Sequence, residues 1–124
     1  MLSAELEDWL TEEGDRVVVK KYSKSKVLTV RERLIYEVWL LDTEWRNGGL
    51  SQYFGNHGIA NWKALSKVAT PKLASFKPFA KVVNQVIGKS KDPYEATLKS
   101  ASQLDEHYFN IQTRLITELK TLAG

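Results

Sequence analysis

Apolar residues recur along most of the chain at intervals of three to four positions, which is the spacing of amphipathic helices. The longest such pattern covers residues 29–46. Its apolar positions fall on two faces: Val30, Leu34, Val38, Leu41 and Trp45 on one, and Ile35, Tyr36, Trp39 and Leu40 on the other. A helix that is apolar on two faces is typically buried on two sides. The sequence therefore predicts an all-α fold, a single compact domain over residues 1–124 with about six helices around a central helix 29–46.

The central helix also carries start signals and charged pairs. Thr29 and Glu32 have the spacing of a capping box, in which each side chain accepts a hydrogen bond from the other residue's amide. Two pairs of opposite charge have i,i+4 spacing, Arg33 with Glu37 and Asp42 with Arg46. Residues four apart are neighbours on a helix, so we expect both pairs to meet on the surface.

Shorter patterns predict the N-terminal and middle helices. Ser3 can cap a first helix that ends at Gly14, and a short helix from Arg16 to Tyr22 should follow, then a polar loop at residues 24–26. The composition of residues 55–58 predicts a turn before a helix over residues 60–69.

Caps and breakers predict the remaining helices. Thr70 and Pro71 should begin a helix that Pro78 kinks and Gly88 ends. Asp92 and Ser102 are the predicted caps of the last two helices. The last one carries a seam with spacing close to 3.5 residues, consisting of Leu104, Tyr108, Ile111, Leu115, Leu119 and Leu122. Such a seam packs on a neighbouring helix of the same chain or of a partner.

A double glycine, Gly48-Gly49, interrupts the helical pattern after the central helix, and we call residues 44–56 the glycine corner. At least one of these glycines is expected at positive φ, and Asn47 or Ser51 could cap the next helix. One interpretation is purely structural: a tight turn between helices, with Tyr53 and Phe54 in the core. The alternative is a ligand or partner site formed by the residues of this corner, namely Glu44, Asn47, Gly48, Gly49, Gln52 and Tyr53.

The corner also carries a family resemblance. The run from Glu44 through Asn47-Gly48-Gly49-Leu50-Ser51-Gln52-Tyr53-Phe54 resembles the signature of a bacterial family of unknown function named for a DNA-mimic protein, whose motif is close to Asn-Gly-Gly-Phe-x-Gln-Tyr-Phe. The resemblance implies an all-helical fold and, in the founding member, a dimer that mimics DNA and occupies a DNA-binding regulator. This chain departs from the pattern at three positions: Arg46 replaces a frequent second Asn, Leu50 replaces Phe, and Gly55 replaces an aromatic residue.

Charge is unevenly distributed along the chain. The net charge is +3, from 18 basic and 15 acidic residues, but six of the acids lie in residues 1–15. Residues 63–91 contain seven lysines and no acid, and within them Lys63/Lys67 and Lys77/Lys81 have i,i+4 spacing. These four lysines are the candidate basic patch. Residues 16–33, with seven basic residues and one acid, form a second candidate.

Several chemistries lack their usual signature. With no cysteine there is no disulfide framework, and His57 and His107 do not have a metal-ligand spacing, so we expect no metal and no cofactor. Glu37 and Glu44, seven positions apart, are the one carboxylate pair of interest for acid–base chemistry. The chain shows neither a membrane-span pattern nor a signal-peptide pattern, so we expect a cytoplasmic protein.

These observations favour a non-enzymatic protein-interaction module, such as a regulator that binds another protein, over two alternatives. One alternative is a nucleic-acid-binding protein that uses the basic face Lys63–Lys91, and the other is an unrecognised enzyme at residues 44–54. The resemblance and the C-terminal seam together predict a homodimer. The excess of basic residues predicts that the protein is not itself a DNA mimic, since a mimic must present a dense array of carboxylates.

Overall fold

Helices account for all regular secondary structure in the parts of the chain that the computed structural model describes, which are residues 2–23, 27–88 and 90–123. There are five: α1 (Ala4–Lys21), α2 (Val30–Ala69), α3 (Phe76–Ile87), α4 (Pro93–Lys99) and α5 (Ala101–Ala123). The prediction of an all-α fold is confirmed. The five helices form one compact domain, one helix fewer than the number expected.

The central position of α2 follows from its two apolar faces. It packs against each of the other four helices, and Ile35, Val38 and Leu41 are fully buried in the core. The predicted capping box is confirmed: the amide of Glu32 donates to Thr29 Oγ1 at 3.1 Å, and the amide of Thr29 donates to Glu32 Oε1 at 2.9 Å. The helix that was predicted over residues 29–46 is the first section of α2.

The predicted break at Gly14 is wrong, because α1 is one continuous helix through this residue. Gly14 is buried. A Cβ atom at this position would overlap the indole ring of Trp39 on α2. The glycine therefore allows two helices to approach closely and does not end the first. The short helix predicted from Arg16 to Tyr22 is the last part of α1, and the loop predicted at residues 24–26 lies outside the described residues.

The predicted turn at residues 55–58 is also largely wrong. Residues 55–57 continue α2, and only Gly58, at φ 75°, leaves the helical conformation. Gly55 has a packing role instead, since a Cβ there would lie 2.9 Å from Cδ1 of Tyr94 on α4. The absence of a side chain lets α4 lie against this section of α2.

The start of α3 differs from the prediction at both Pro71 and Pro78. Residues 71–75 form turns, and α3 begins at Phe76. The backbone amide and the hydroxyl of Ser75 donate to Glu118 of α5, at 2.9 and 2.7 Å, and so fix this start from a distant helix. Pro78 falls in the first turn of α3, where an amide has no intrahelical acceptor, so it causes no kink. Gly88 ends α3 as predicted, at φ 43°.

The last two helices begin just after Asp92 and just before Ser102. Asp92 caps α4 as predicted, because its Oδ1 accepts from the Glu95 amide at 3.1 Å. The cap predicted at Ser102 is wrong, since α5 starts at Ala101 and the amide of Leu104 donates to the carbonyl of Ser100. The seam of α5 packs within the chain: Leu104, Tyr108, Leu115 and Leu119 are buried, whereas Leu122 is exposed.

The two charged pairs of α2 are not surface pairs, contrary to expectation. Asp42 does form its predicted ion pair, with its Oδ2 2.8 Å from Arg46 Nε, but it is fully buried. Its Oδ1 accepts from Tyr108 and Gln112 of α5, at 2.7 and 2.8 Å. Glu37 is buried as well and accepts a hydrogen bond from Asn61. The packing of α5, and of the last section of α2, covers both carboxylates.

Glu32 joins α1 to α2 through a nearly buried carboxylate. Its Oε1 accepts from Lys20 Nζ at 2.6 Å, and the hydrogen bonds from Lys20 and from the Thr29 amide lower the pKa of Glu32 to about 2. Because the pKa in the folded state is below the unfolded value, this contribution to stability is present above the unfolded pKa of 4.5 and is lost as the pH falls towards 2.

We therefore expect Glu32→Gln to have a lower free energy of unfolding than the parent at neutral pH. The two free energies should converge near pH 2, where Glu32 of the parent becomes protonated. Urea unfolding followed by circular dichroism at a series of pH values measures this difference. A constant difference over the whole series would contradict the assignment.

Candidate functional site

The backbone of the glycine corner has the predicted conformation. Gly49 adopts φ 79° and ψ −179°, which confirms the expectation of positive φ at one of the two glycines, while Gly48 remains at φ −157°. The amide of the following residue, Leu50, donates to Oδ1 of Asp105 on α5 at 2.9 Å. The next section of α2 is therefore capped by a carboxylate from another helix, where the sequence suggested Asn47 or Ser51.

The polar side chains of the corner bind mainly to each other. Glu44 Oε2 accepts hydrogen bonds from the carboxamides of Gln52 and Asn56, at 3.2 and 2.6 Å. Nε2 of His57 lies 3.6 Å from Glu44 Oε1. Asn47 is exposed, and so is Gly48 of the predicted set. The Glu44 carboxylate thus ties together two sections of α2 on either side of the double glycine.

Tyr53 is a core residue of the corner. It is fully buried, and its ring meets Phe54 edge-on with centroids 5.4 Å apart. Its hydroxyl accepts a hydrogen bond from Asn61 at 3.0 Å. Burial raises the pKa of Tyr53 well above its usual value. These contacts match the structural interpretation, in which Tyr53 and Phe54 fill the core beside a tight turn.

The two carboxylates that the sequence singled out have different surroundings. Glu44 belongs to the corner network, whereas Glu37 accepts from Asn61 at 3.0 Å and lines a separate cavity of about 400 Å³. Burial raises the pKa of Glu37, against the opposing effects of the Asn61 hydrogen bond and the Arg33 charge. The structure gives these two carboxylates no shared hydrogen-bond partner among the described residues.

The four lysines of the candidate basic patch lie around two adjoining grooves between the end of α2 and α3. One groove, of about 770 Å³, is lined by Lys77 and Lys81, and the other, of about 820 Å³, by Lys63 and Lys67. Ser66, Thr70 and Asn84 line both. We call them the lysine-rimmed grooves. The structure thus brings together two lysine pairs that the sequence placed on separate helices.

Three of the seven basic residues of the second candidate, residues 16–33, contact other side chains of the chain. Arg16 Nε pairs with Glu13 at 2.7 Å, and Lys20 pairs with Glu32. The ammonium of Lys21 lies 4.7 Å from the centroid of the Tyr36 ring. Lys24 and Lys26 lie outside the described residues. These contacts leave fewer free charges here than the sequence indicated.

The acidic helix α1 is also partly neutralised. Glu7 pairs with Arg46 at 2.9 Å and Glu5 approaches Lys120 at 3.4 Å. With the Glu13–Arg16 pair, half of the six acids in residues 1–15 face a cation of the same chain.

Sequence reasoning missed Asn61, Asn56 and Asp105 as partners. Each is a polar residue on a helix with no local signal, and its role follows only from the tertiary contact that it makes. Within the described ranges, no group of three or more histidine or acidic side chains is placed to hold a metal ion. Among the same residues, no helix is long and apolar enough to cross a membrane.

The architecture defines a small helical protein organised around a glycine corner, and comparison with known families agrees with it. The chain matches the model of the DMP19-like protein family over residues 26–122 and belongs to that family. The match contains α2 to α4, the whole corner and all of α5 but its last residue, and leaves out α1. No curated protein and no solved structure matches the chain significantly.

Proposed function

We propose that this protein is a non-enzymatic interaction module that binds an acidic segment of another protein, in the manner of a regulator, through the lysine-rimmed grooves. The observation that carries this proposal is the convergence of Lys63, Lys67, Lys77 and Lys81 on two adjoining grooves. A surface with one sign of charge attracts partners of the opposite sign and speeds their association.

The glycine corner supports the non-enzymatic part of the proposal. Its carboxylate, Glu44, already accepts two hydrogen bonds from side chains of the same chain, and Tyr53 is buried in the core. An enzyme at residues 44–54 would need such groups free to reach a substrate.

The lining of the grooves favours a protein over a nucleic acid. Ile59, Trp62 and Ile87 contribute apolar surface to one groove, and Pro78 and Ala80 to the other. A peptide can bury such surface with its own apolar side chains, whereas a phosphate backbone cannot. None of the described residues that line either groove is an arginine, the residue that makes bidentate contacts to phosphate and guanine. Nucleic-acid binding through these lysines is therefore the second candidate.

A DNA-mimic role is not part of the proposal, despite the resemblance to a family named for one. The acids that could form a phosphate-like array are concentrated on α1, where half of them face a cation of this chain. Competition between the protein and duplex DNA for a DNA-binding regulator at physiological salt would contradict this view.

The homodimer remains a prediction, and so does the cytoplasmic location. The α5 seam packs mostly within its own chain, so the expectation of a dimer now rests on the family resemblance. A light-scattering mass that stays at 14.1 kDa over a wide concentration range would rule the dimer out.

Charge reversal tests the proposed surface. We expect Lys67→Glu/Lys81→Glu to abolish the capture of partner proteins by the immobilised full chain, because each groove loses an attractive charge and gains a repulsive one. The matched control is Lys99→Glu/Arg114→Glu, which makes the same change of charge at two exposed positions that line neither groove. Quantitative mass spectrometry of proteins captured from nuclease-treated lysate measures the effect.

The outcomes separate the candidate functions. Nuclease-resistant capture that the groove variant loses and the control keeps supports a protein partner. Equal capture by both variants contradicts the grooves as the binding surface. Retention of nucleic acid that disappears with the lysines in the groove variant favours the second candidate.

A further inference from the structure

A cavity of about 400 Å³ is lined by the last residue of α1, by Val27 and Leu28, and by two sections of α2. It is separate from the glycine corner and from the lysine-rimmed grooves. Its lining combines three kinds of group: the buried carboxylate of Glu37, the cations Lys21 and Arg33, and a wall that includes Val27, Leu28 and Ala64. Ligand sites commonly consist of an apolar wall with a few converging polar groups.

Glu37 is the least expected member of this lining. It is only 4% exposed, and a buried carboxylate normally needs a charged partner or several hydrogen bonds. Its Oε1 accepts from Asn61 Nδ2 at 3.0 Å. Among the described residues it forms no ion pair, and the Arg33 and Lys21 charges act on it only from a longer distance. Burial raises the pKa of this carboxyl and outweighs the opposing effects of the Asn61 hydrogen bond and of the Arg33 and Lys21 charges, so a further cationic donor would stabilise its ionised form.

Asn61 adds an acceptor next to this carboxylate. Its Nδ2 group donates to both Glu37 Oε1 and the hydroxyl of Tyr53, each at 3.0 Å. The carboxamide nitrogen is engaged by these two bonds. Among the described residues no group donates to the carboxamide oxygen of Asn61, which can therefore accept from a ligand. Glu37 and Asn61 together offer acceptors to a group that carries several N–H donors.

The two cations of the cavity are exposed, in contrast to Glu37. Arg33 is one turn before Glu37 on α2, so the two side chains are neighbours on the same helix face. The ammonium of Lys21 lies over one face of the Tyr36 ring, 4.7 Å from its centroid. A ligand in this cavity therefore meets a negative charge at a buried position and positive charges at exposed ones.

We propose that this cavity binds a small aliphatic α-amino acid as a zwitterion, with its ammonium group on Glu37 and Asn61, its carboxylate on Arg33 and Lys21, and its side chain against the aliphatic wall. The ammonium and carboxylate groups of an α-amino acid are attached to the same carbon. They are therefore close enough to bind two neighbouring side chains on one helix face. A simple amine would be repelled by Lys21 and Arg33, and a simple carboxylate by Glu37. A stacked nucleobase is disfavoured because Lys21 and Trp39 already contact the Tyr36 ring.

Ligand analogues test both charges on the unmodified protein. We expect titration of the ¹⁵N-labelled full chain with L-leucine to shift amide resonances of α2 around Glu37 and Asn61. N-acetyl-L-leucine lacks the ammonium group and L-leucinamide lacks the carboxylate. Each should bind at least about tenfold more weakly, the usual loss when a charge-assisted hydrogen bond is removed. Equal affinities for the three compounds, or no shifts with leucine at millimolar concentration, would overturn the proposal.

Variants locate the binding. Glu37→Gln keeps an oxygen that can accept from Asn61 but removes the charge, so it should fold and should lose at least about tenfold in affinity for leucine. The matched control is Glu44→Gln, which makes the same change on the same helix outside this cavity and should leave the affinity unchanged. Arg33→Gln should weaken leucine but not leucinamide, since only leucine presents a carboxylate. Unchanged leucine affinity in Glu37→Gln would show that the buried carboxylate is purely structural.

Discussion

Replacing Arg46 with methionine will lower the free energy of unfolding by about 3 kcal/mol, the lower end of the range for leaving a buried charge without its ionic partner. The arginine side chain itself is 31% exposed. The Asp42 carboxylate is fully buried, and its Oδ2 has Arg46 as its cation at 2.8 Å. The methionine keeps most of the apolar stem of Arg46 but leaves this negative charge uncompensated. The loss stays at the lower end because Tyr108 and Gln112 still donate to Oδ1.

Two further variants assign the effect to the buried charge. Adding Asp42→Asn to Arg46→Met should restore more than half of the loss, because an asparagine can still accept from Tyr108 and carries no charge. Glu7→Gln removes the other, exposed partner of Arg46 and should cost less than about 1 kcal/mol. Chemical denaturation measures all three. A cost for Arg46→Met no larger than that of Glu7→Gln would contradict the account.

Gly49→Ala will cost about 1–3 kcal/mol, the usual penalty for holding a residue in a sparsely populated backbone conformation. Gly49 has φ 79°, a region that side-chain-bearing residues rarely adopt, and an added Cβ would lie 2.8 Å from Oδ2 of Asp105. That carboxylate is the cap of the Leu50 amide, so the substitution disturbs the backbone and its cap together. Thermal and urea unfolding measure the loss.

Gly48→Ala is the matched control one position earlier. Gly48 has φ −157°, and its added Cβ would meet the flexible side chain of Gln52, which can move aside. From the sequence the two glycines look equivalent, whereas the structure predicts that only Gly49 is costly to replace. Similar losses in the two variants would show that the double glycine acts through crowding and not through positive φ.

The features that could be predicted from sequence are those set by neighbouring residues. The two-faced apolar pattern of residues 29–46 identified the central helix, and the Thr29–Glu32 and Asp92–Glu95 spacings identified caps that the structure contains. Each depends on groups within one turn of each other, so the sequence carries the whole signal.

The features that failed are those set by residues distant in sequence. Gly14 and Gly55 resemble helix breakers, but each makes room for an aromatic ring, Trp39 or Tyr94, from another helix. Pro78 was expected to kink α3 because the predicted start of that helix was too early in the sequence. That start depends on Glu118, 43 residues from the serine that it binds.

The burial of Glu37 and Asp42 on α2 could not be predicted from the sequence for the same reason. Glu37 and Asp42 each lie four positions from an arginine, a spacing that is equally common on exposed helices. What buries Asp42 is α5, which supplies Tyr108 and Gln112, and what covers Glu37 is the last section of α2, which supplies Asn61. Of the residues that line this candidate cavity, the sequence therefore singled out only Glu37.

The cap that Asp105 provides at Leu50 has a consequence for the order of events during translation. The two residues are separated by 55 positions, so the ribosome releases the corner well before it releases the carboxylate that caps it. Until then the first turn after Gly49 has one amide bound only to water, and the direction in which the chain leaves the corner is not yet fixed. The docking of α5 supplies the Asp105 cap at Leu50 and the acceptor for Ser75 in the same step. The contacts that fix the corner and the start of α3 therefore become complete only after α5 has been synthesised.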